Sequence, residues 1–86
     1  MRAYQRQKMA NLVYSYLKEQ NYSPIQLKAR DVVNFHQLPN GYSKSISSFL
    51  NHIYNNSKVK DFGFYILEKQ GSKGGREPYR FSVILL

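Results

Sequence analysis

The chain has 86 residues and a mass of 10.1 kDa, enough for one small hydrophobic core and too short for separate catalytic and regulatory domains. It carries 13 Lys and Arg residues against 5 Asp and Glu residues, a formal net charge of +8, so a polyanion is the expected partner. The sequence has no cysteine and no apolar run of bilayer-spanning length, which excludes a disulfide framework and thiolate chemistry, and we expect a soluble cytoplasmic domain.

The first part of the chain predicts two helices. Over residues 3–20, apolar side chains recur at intervals of three and four residues, as on one stripe of a helix. These side chains belong to Met9, Leu12, Val13, Tyr16 and Leu17. Pro24 ends the helical pattern, and a short extended segment over residues 25–28 follows. A second, short helix is predicted over residues 29–37, with Asp31 favourably placed near its start.

A turn and a third helix follow. Residues 38–41 read Leu-Pro-Asn-Gly, a turn sequence in which Asn-Gly is expected to supply positive φ, and Ser43 is expected to cap a helix over residues 43–56. At about 100° per residue, one arc of this helix is apolar, and it consists of Ile46, Phe49, Leu50 and Ile53. The opposite arc is polar and free of acid, and it contains Lys44, Ser48, Asn51 and Asn55.

The last part of the chain predicts a β-hairpin. Apolar residues alternate with others over residues 62–69 and again over residues 79–86, which indicates two strands. Residues 70–78 between them are rich in glycine and basic residues, so they form the predicted hairpin tip. If Phe64 and Ile66 face the core, Tyr65 and Leu67 face the other way.

This order of elements resembles a winged helix-turn-helix DNA-binding domain. The resemblance covers nearly the whole chain: residues 27–33 (Leu-Lys-Ala-Arg-Asp-Val-Val) as short strand and second helix, residues 38–43 as the turn, residues 44–53 as the recognition helix, and the hairpin as the wing. In its small size the chain is also similar to transcriptional regulators of archaeal viruses and plasmids. The expected fold is therefore α+β, a single domain with three helices and a wing. Lys28 departs from the pattern, because the family usually has Ser or Thr at that cap.

The resemblance implies that the third helix enters the major groove of DNA. It assigns base contacts to five residues of that helix, which are Ser43, Lys44, Ser47, Ser48 and Asn51. It assigns contacts with phosphates or the minor groove to the first helix and the wing. The four cations of the wing are Lys69, Lys73, Arg76 and Arg80. The chemistry of these side chains agrees, since Asn can pair with adenine, Lys can donate to guanine, and cations neutralise phosphates.

The sequence thus predicts a sequence-preferring double-stranded DNA-binding protein that regulates transcription by occupancy, in a host cell if the source is viral. No catalysis, metal, cofactor, small-molecule ligand or membrane is expected, and the two histidines, His36 and His52, lack metal-ligand spacing. Other interpretations remain open. The polar arc is also compatible with an ordinary solvated helix face, and the wing cations with simple solubilising charge. Binding of single-stranded nucleic acid or RNA, and a protein-interaction module, are the alternative functions.

An apolar outer face of the hairpin needs a cover. It consists of Tyr65, Leu67, Ile84 and Leu86, which are too contiguous to leave in water. One explanation is that the basic start of the first helix folds over it. The other is a homodimer, which would place two recognition helices about 34 Å apart and favour a palindromic site.

Overall fold

The described chain forms three helices and a three-stranded antiparallel sheet, an α+β architecture with the predicted order of elements. The computed structural model describes residues 3–55, 62–71 and 79–86, without the side chains of residues 3 and 4. The helices are α1 (Ala3–Lys18), α2 (Ala29–His36) and α3 (Tyr42–Asn55). The strands are β1 (Ile25–Leu27), β2 (Phe64–Gln70) and β3 (Arg80–Leu85).

The first helix ends at Lys18, two residues before the expected boundary. Just after it, the backbone N–H of Glu19 and the side-chain amide of Gln20 both donate to the carbonyl of Tyr16, at 3.2 and 3.1 Å. The carbonyls of the last helical turn have no partner within the helix. These two donors therefore hydrogen-bond the Tyr16 carbonyl in the last turn and cap the C-terminal end of α1.

The second helix begins without the usual cap side chain. The carboxylate of Asp31 accepts a hydrogen bond of 2.9 Å from the backbone N–H of Lys28, and the Asp31 N–H donates to the Lys28 carbonyl at 2.9 Å. A lysine side chain has no acceptor, so it cannot return the bond that Ser or Thr would supply. Asp31 alone thus supplies the side-chain hydrogen bond at the start of α2.

In the turn between α2 and α3, positive φ occurs at a different residue than expected. Gln37 has φ 56° in the left-handed region, whereas Asn40 and Gly41 do not have positive φ, so that expectation for Asn-Gly was wrong. The N–H groups of Gln37 and Leu38 donate to the carbonyls of Asn34 and Val33, at 3.3 and 2.9 Å. This pair of bonds is a Schellman motif, which here fixes the end of α2.

The third helix starts one residue earlier than expected, at Tyr42. The N–H of Tyr42 donates to the carbonyl of Pro39 at 3.0 Å, and the N–H of Ser43 donates to that of Asn40 at 3.1 Å. The hydroxyl of Ser43 donates to the same Asn40 carbonyl at 3.0 Å. Ser43 therefore lies inside the first turn, and its expected role as the cap was wrong.

The sheet has the strand order β1-β3-β2, so β3 is the central strand and both pairings are antiparallel. Val83 in β3 lies opposite Ile25 on one side and opposite Ile66 on the other. All three side chains are buried. They form one apolar row across the sheet, and this row belongs to the core.

A β-bulge at Leu67 changes which side chains face the core. Before the bulge, Ile66 pairs with Val83, and after it Glu68 pairs with Ser82 and Lys69 with Phe81. Since Phe81 is buried, Lys69 lies on the inner face of the sheet and Glu68 on the outer face. Unbroken alternation from Ile66 would have put Glu68 inside and Lys69 outside.

The core is apolar wherever the chain is described, with no polar or charged side chain buried there. Its largest fully buried side chains come from α1, α3 and all three strands, and they are Phe49, Phe64, Phe81, Leu17, Ile25, Leu27, Ile46 and Leu50. The prediction for the apolar arc of the third helix is confirmed, because its four residues are all buried. In the described ranges, no helix has the length and apolarity needed to cross a bilayer.

Candidate nucleic-acid interface

The side of α3 that faces away from the core presents a polar ridge. Lys44, Ser48 and Asn55 are exposed, and their spacings of four and seven residues place them within an arc of about 40°. We call these three residues the α3 ridge. The sequence of α3 contains no acidic residue, so the ridge offers an ammonium, a hydroxyl and an amide without a competing carboxylate.

The side chains at the start of the ridge are available to a partner. In the part of the chain that the structure describes, Lys44 and Ser48 make no side-chain hydrogen bond or ion pair. An exposed donor without an internal partner can exchange water for a ligand without first breaking a bond inside the protein. Lys44 and Ser48 are thus suited to bind an external group.

The five residues expected to contact bases fall into two groups. Lys44 and Ser48 are exposed, whereas Ser43, Ser47 and Asn51 are half-buried. Ser43 donates its hydroxyl to the chain before the helix, and the Asn51 amide nitrogen donates to the Ser47 carbonyl at 3.1 Å. The structure therefore brings the first two together on the ridge, whereas the side chains of Ser43 and Asn51 make contacts within the chain and Ser47 is half-buried.

Asn55 is a ridge residue to which the resemblance assigned no contact. The helical wheel already places it between Lys44 and Ser48, at about 20° from each. The signal for it was therefore present in the sequence. Asn55 lies outside the N-terminal half of the helix, and the resemblance implied base contacts for that half only.

Lys69, expected to contact the DNA backbone, lies between β2 and α3. Its ammonium donates to Asn51 Oδ1 at 2.9 Å. It also lies 4.7 Å from the ring centroid of Tyr79 and 5.3 Å from that of Tyr54. Cations over aromatic faces at such distances are attracted by the ring electrons. The ammonium of Lys69 is thus held between the hairpin and α3 by three contacts within the chain.

The other expected backbone contacts are placed differently. Arg80 is exposed and lies opposite Gln70, on the outer face of the sheet. The two cations of the described hairpin strands therefore lie on opposite faces. Lys73 and Arg76 lie outside the described residues.

A further cation adjoins the start of α3. Lys8, exposed on α1, donates from its ammonium to the hydroxyl of Tyr42 at 3.1 Å and lies 5.3 Å from the centre of that ring. Tyr42 is the first residue of α3. Positive charge from α1 is thereby placed at the same end of α3 as Lys44, and the resemblance already implied that the first helix contacts phosphates or the minor groove.

The described residues offer no alternative site with the chemistry of a metal centre, since their His, Asp and Glu side chains do not form a group of three that could hold an ion.

The titratable side chains His36 and Tyr16 have internal roles. The Nε2 atom of His36 lies 2.8 Å from the carbonyl oxygen of Leu12. A carbonyl only accepts, so Nε2 carries the hydrogen and donates it, which joins α2 to α1. Burial, followed by Asp31 and Tyr22, raises the pKa of Tyr16, so this phenol stays protonated at neutral pH.

Comparison with known proteins gave no relative: no family model, no curated protein and no solved structure matches the chain. The geometry of the ridge and its surroundings is therefore the basis on which its function is argued.

Proposed function

We propose that this chain is a winged-helix protein that binds double-stranded DNA in a sequence-preferring manner and regulates transcription by occupying its site. The observation that carries the proposal is the α3 ridge. It is exposed and acid-free, and the side chains of Lys44 and Ser48 have no described partner. The opposite side of the same helix is anchored in the core by four apolar residues.

The arrangement of elements around α3 supports a role in the major groove. A helix with its side chains is about 10 to 12 Å wide, and the major groove of DNA is about 12 Å wide. The Schellman motif at Gln37 sets α2 beside α3, and the hairpin follows α3 and pairs with β1. One face of α3 is thereby left outside, as insertion into a groove requires.

The chemistry of the ridge suits the edges of bases. An ammonium such as that of Lys44 can donate to the O6 and N7 acceptors of guanine, and an amide such as that of Asn55 can pair with adenine. The hydroxyl of Ser48 can donate or accept. With a net charge of +8, the chain would also gain affinity for any duplex by releasing counterions from phosphates.

Duplex DNA fits the surface better than single strands do. Proteins that bind single strands stack bases on exposed aromatic side chains, commonly on a sheet or groove. Within the described ranges, the aromatic side chains classed as exposed are Tyr22, Phe35 and Tyr54, none of which lies in a strand. The ridge itself is not aromatic, so groove readout is the favoured mode.

Replacing Lys44 with alanine tests the proposal. We expect a loss of about 1 to 3 kcal/mol in binding to the preferred duplex, with relaxed preference at one base pair, because one donor to a base edge is removed. The preferred site is first selected from random duplexes, and affinities for it and for an unrelated duplex are then measured by fluorescence anisotropy.

Lys18→Ala is the matched control, since it removes the same charge from the last turn of α1. It should weaken binding to both duplexes equally and slightly. Equal losses from both variants on both duplexes would remove Lys44 from base recognition. Failure of the unmodified protein to bind duplex, or its displacement by single strands at equal concentration, would contradict the proposal as a whole.

The proposal includes a second copy of the chain as a partner on the outer sheet face. Leu67 and Leu86 are 50% and 64% exposed there, beside the cross-strand pair of Tyr65 and Ile84. Among the described residues of β2 and β3, this face carries one acid, Glu68, and one base, Arg80, whereas the chain as a whole has a charge of +8.

A face with one charge of each sign is complementary to itself. When two copies pair about a two-fold axis, both use the same face. Glu68 of one copy can therefore approach Arg80 of its partner, and Arg80 of the first copy can approach Glu68 of the second. Elsewhere the excess positive charge would make two copies repel. The outer sheet face is therefore the surface on which self-association is least opposed.

A charge-swap experiment tests this association. We expect sedimentation equilibrium to show a dimer for the unmodified protein, a shift toward monomer for Glu68→Arg, and recovery of the dimer for the double variant Glu68→Arg with Arg80→Glu. Tyr22→Arg is the control, because Tyr22 is 57% exposed and lies between α1 and β1, outside the strands that form this face. A monomer at all concentrations, or no recovery in the double variant, would contradict the dimer.

A further inference from the structure

Lys69 and Asn51 form a polar link between the hairpin and α3. The ammonium of Lys69 contacts Asn51 Oδ1 at 2.9 Å and lies over the faces of Tyr54 and Tyr79. Asn51 and Tyr54 belong to α3, and Lys69 belongs to β2. One side chain of the sheet thus makes two attractive contacts with the helix that carries the ridge.

The β-bulge at Leu67 is what places a cation at this position. Without the bulge, the inner position would fall to Glu68, as the register shows. A carboxylate there would face two aromatic rings, whose faces are negative, and the oxygen of an amide. Bulges often re-aim a side chain, and here the re-aimed side chain has the charge that its surroundings require.

Both ends of the Asn51 side chain are occupied by this arrangement. Its amide nitrogen donates to the Ser47 carbonyl, and its oxygen accepts from Lys69. Bidentate pairing with adenine needs that same nitrogen and oxygen. Pairing with a base would therefore compete with both internal contacts of Asn51, although this residue lies close to the ridge.

We propose that Lys69 is a positioning residue, which acts through Asn51 to hold α3 against the hairpin and so sets how the ridge enters the groove. Neither side chain touches DNA. This inference rests on the proposed function of the ridge. It differs from the expectation for a wing lysine, which would contact a phosphate directly.

The two roles predict different salt dependence. A lysine that neutralises a phosphate contributes about one unit to the slope of log affinity against log salt, for any sequence of DNA. A lysine that only positions the helix contributes nothing to that slope. Its loss instead lowers the ratio of affinities for the preferred and the unrelated duplex.

The experiment compares Lys69→Met, Asn51→Ala and the double variant, with Lys18→Met as the charge-matched control. Methionine keeps the apolar stem of the lysine near the rings and removes the ammonium. We expect each single variant to lower the affinity ratio about tenfold, because one charge-assisted hydrogen bond is lost, and the double variant to lose no more than either. The salt slope should equal that of the control. A slope reduced by about one relative to the control, or losses that add, would overturn the positioning role.

A measurement without DNA separates this inference from the proposed function. Protons near the ammonium of Lys69 lie over two ring faces, so their NMR resonances should be shifted upfield of those of a free lysine. In the Asn51→Ala variant, the Lys69 resonances should move back toward the values of a free lysine. The resonances of core residues should keep the dispersion of a folded protein. Lys69 resonances at free values would overturn the link even in a protein that binds DNA, whereas absence of duplex binding would overturn the proposed function.

Discussion

Replacing Phe49 with alanine is expected to lower the free energy of unfolding by about 3 to 5 kcal/mol. Phe49 is fully buried on α3, and its ring packs edge-on against that of Phe62 at 5.5 Å. The variant loses the apolar area of the ring, and it leaves a cavity that the surrounding core fills only in part. A domain of this size is stable by about 4 to 13 kcal/mol, so the loss is a large share of its stability. Urea denaturation followed by circular dichroism measures the change.

Phe35→Ala is the matched control for Phe49→Ala. Phe35 is 45% exposed on α2 and makes edge contacts with Tyr16 and His36, at 5.5 and 4.8 Å. Its removal should lower the free energy of unfolding by only about 1 kcal/mol, the value of such ring contacts. Similar losses in the two variants would show that α3 is not anchored through Phe49.

Replacing Gly63 with alanine is expected to destabilise the protein by about 3 kcal/mol. Gly63 has φ 83°, and a Cβ atom there would lie 2.9 Å from Cε2 of the Tyr14 ring. The left-handed backbone disfavours any residue with a Cβ by about 1 to 2 kcal/mol, and the contact with Tyr14 adds an overpacking penalty of about 1 to 3 kcal/mol. Because Gly63 precedes β2 and packs against α1, thermal denaturation should show a lower midpoint for the whole domain.

Gly41→Ala provides the same chemical change where neither constraint applies. Gly41 lacks positive φ, and nothing lies within 4 Å of a Cβ built there. The free energy of unfolding should change by less than about 0.5 kcal/mol. If alanine at Gly63 were tolerated as well as alanine at Gly41, the close approach of Tyr14 would be contradicted.

The type and order of the elements could be predicted because they depend on local patterns. The three- and four-residue spacing of Ile46, Phe49, Leu50 and Ile53 identifies the buried side of α3 without knowledge of its neighbours. The exposure of Lys44 and Ser48 follows from the same spacing. The α+β class then follows from the change of period after residue 56, from about 3.6 to 2.

Features that depend on distant or unusual contacts could not be predicted. The left-handed residue after α2 is Gln37, although Asn and Gly, the types that favour positive φ, stand nearby at positions 40 and 41. The bulge at Leu67 carries no glycine to mark it, and it is visible only in the register against β3.

The candidate site could be predicted only in part, because it too depends on contacts between distant residues. The partner of Asn51 is Lys69, 18 residues further along the chain, and the two meet only because the bulge turns Lys69 inward. A helical wheel describes Asn51 as polar and outward, since it takes no account of the strand beside it. Long-range contacts of this kind therefore decide which polar residues of α3 are exposed on the ridge and which are half-buried beside it.

The bulge at Leu67 also affects the exposed edge of the sheet. As the strand order shows, β2 is an edge strand, with one side of its backbone unpaired in the sheet. A regular edge of this kind is a template for adding further strands without limit, which leads to fibrils. The irregular register at Leu67 interrupts that template. Beyond it, Lys69 faces inward, so the side chains of β2 no longer alternate regularly along the edge that an incoming strand would pair with. Growth of the sheet by addition of strands to β2 is thereby disfavoured.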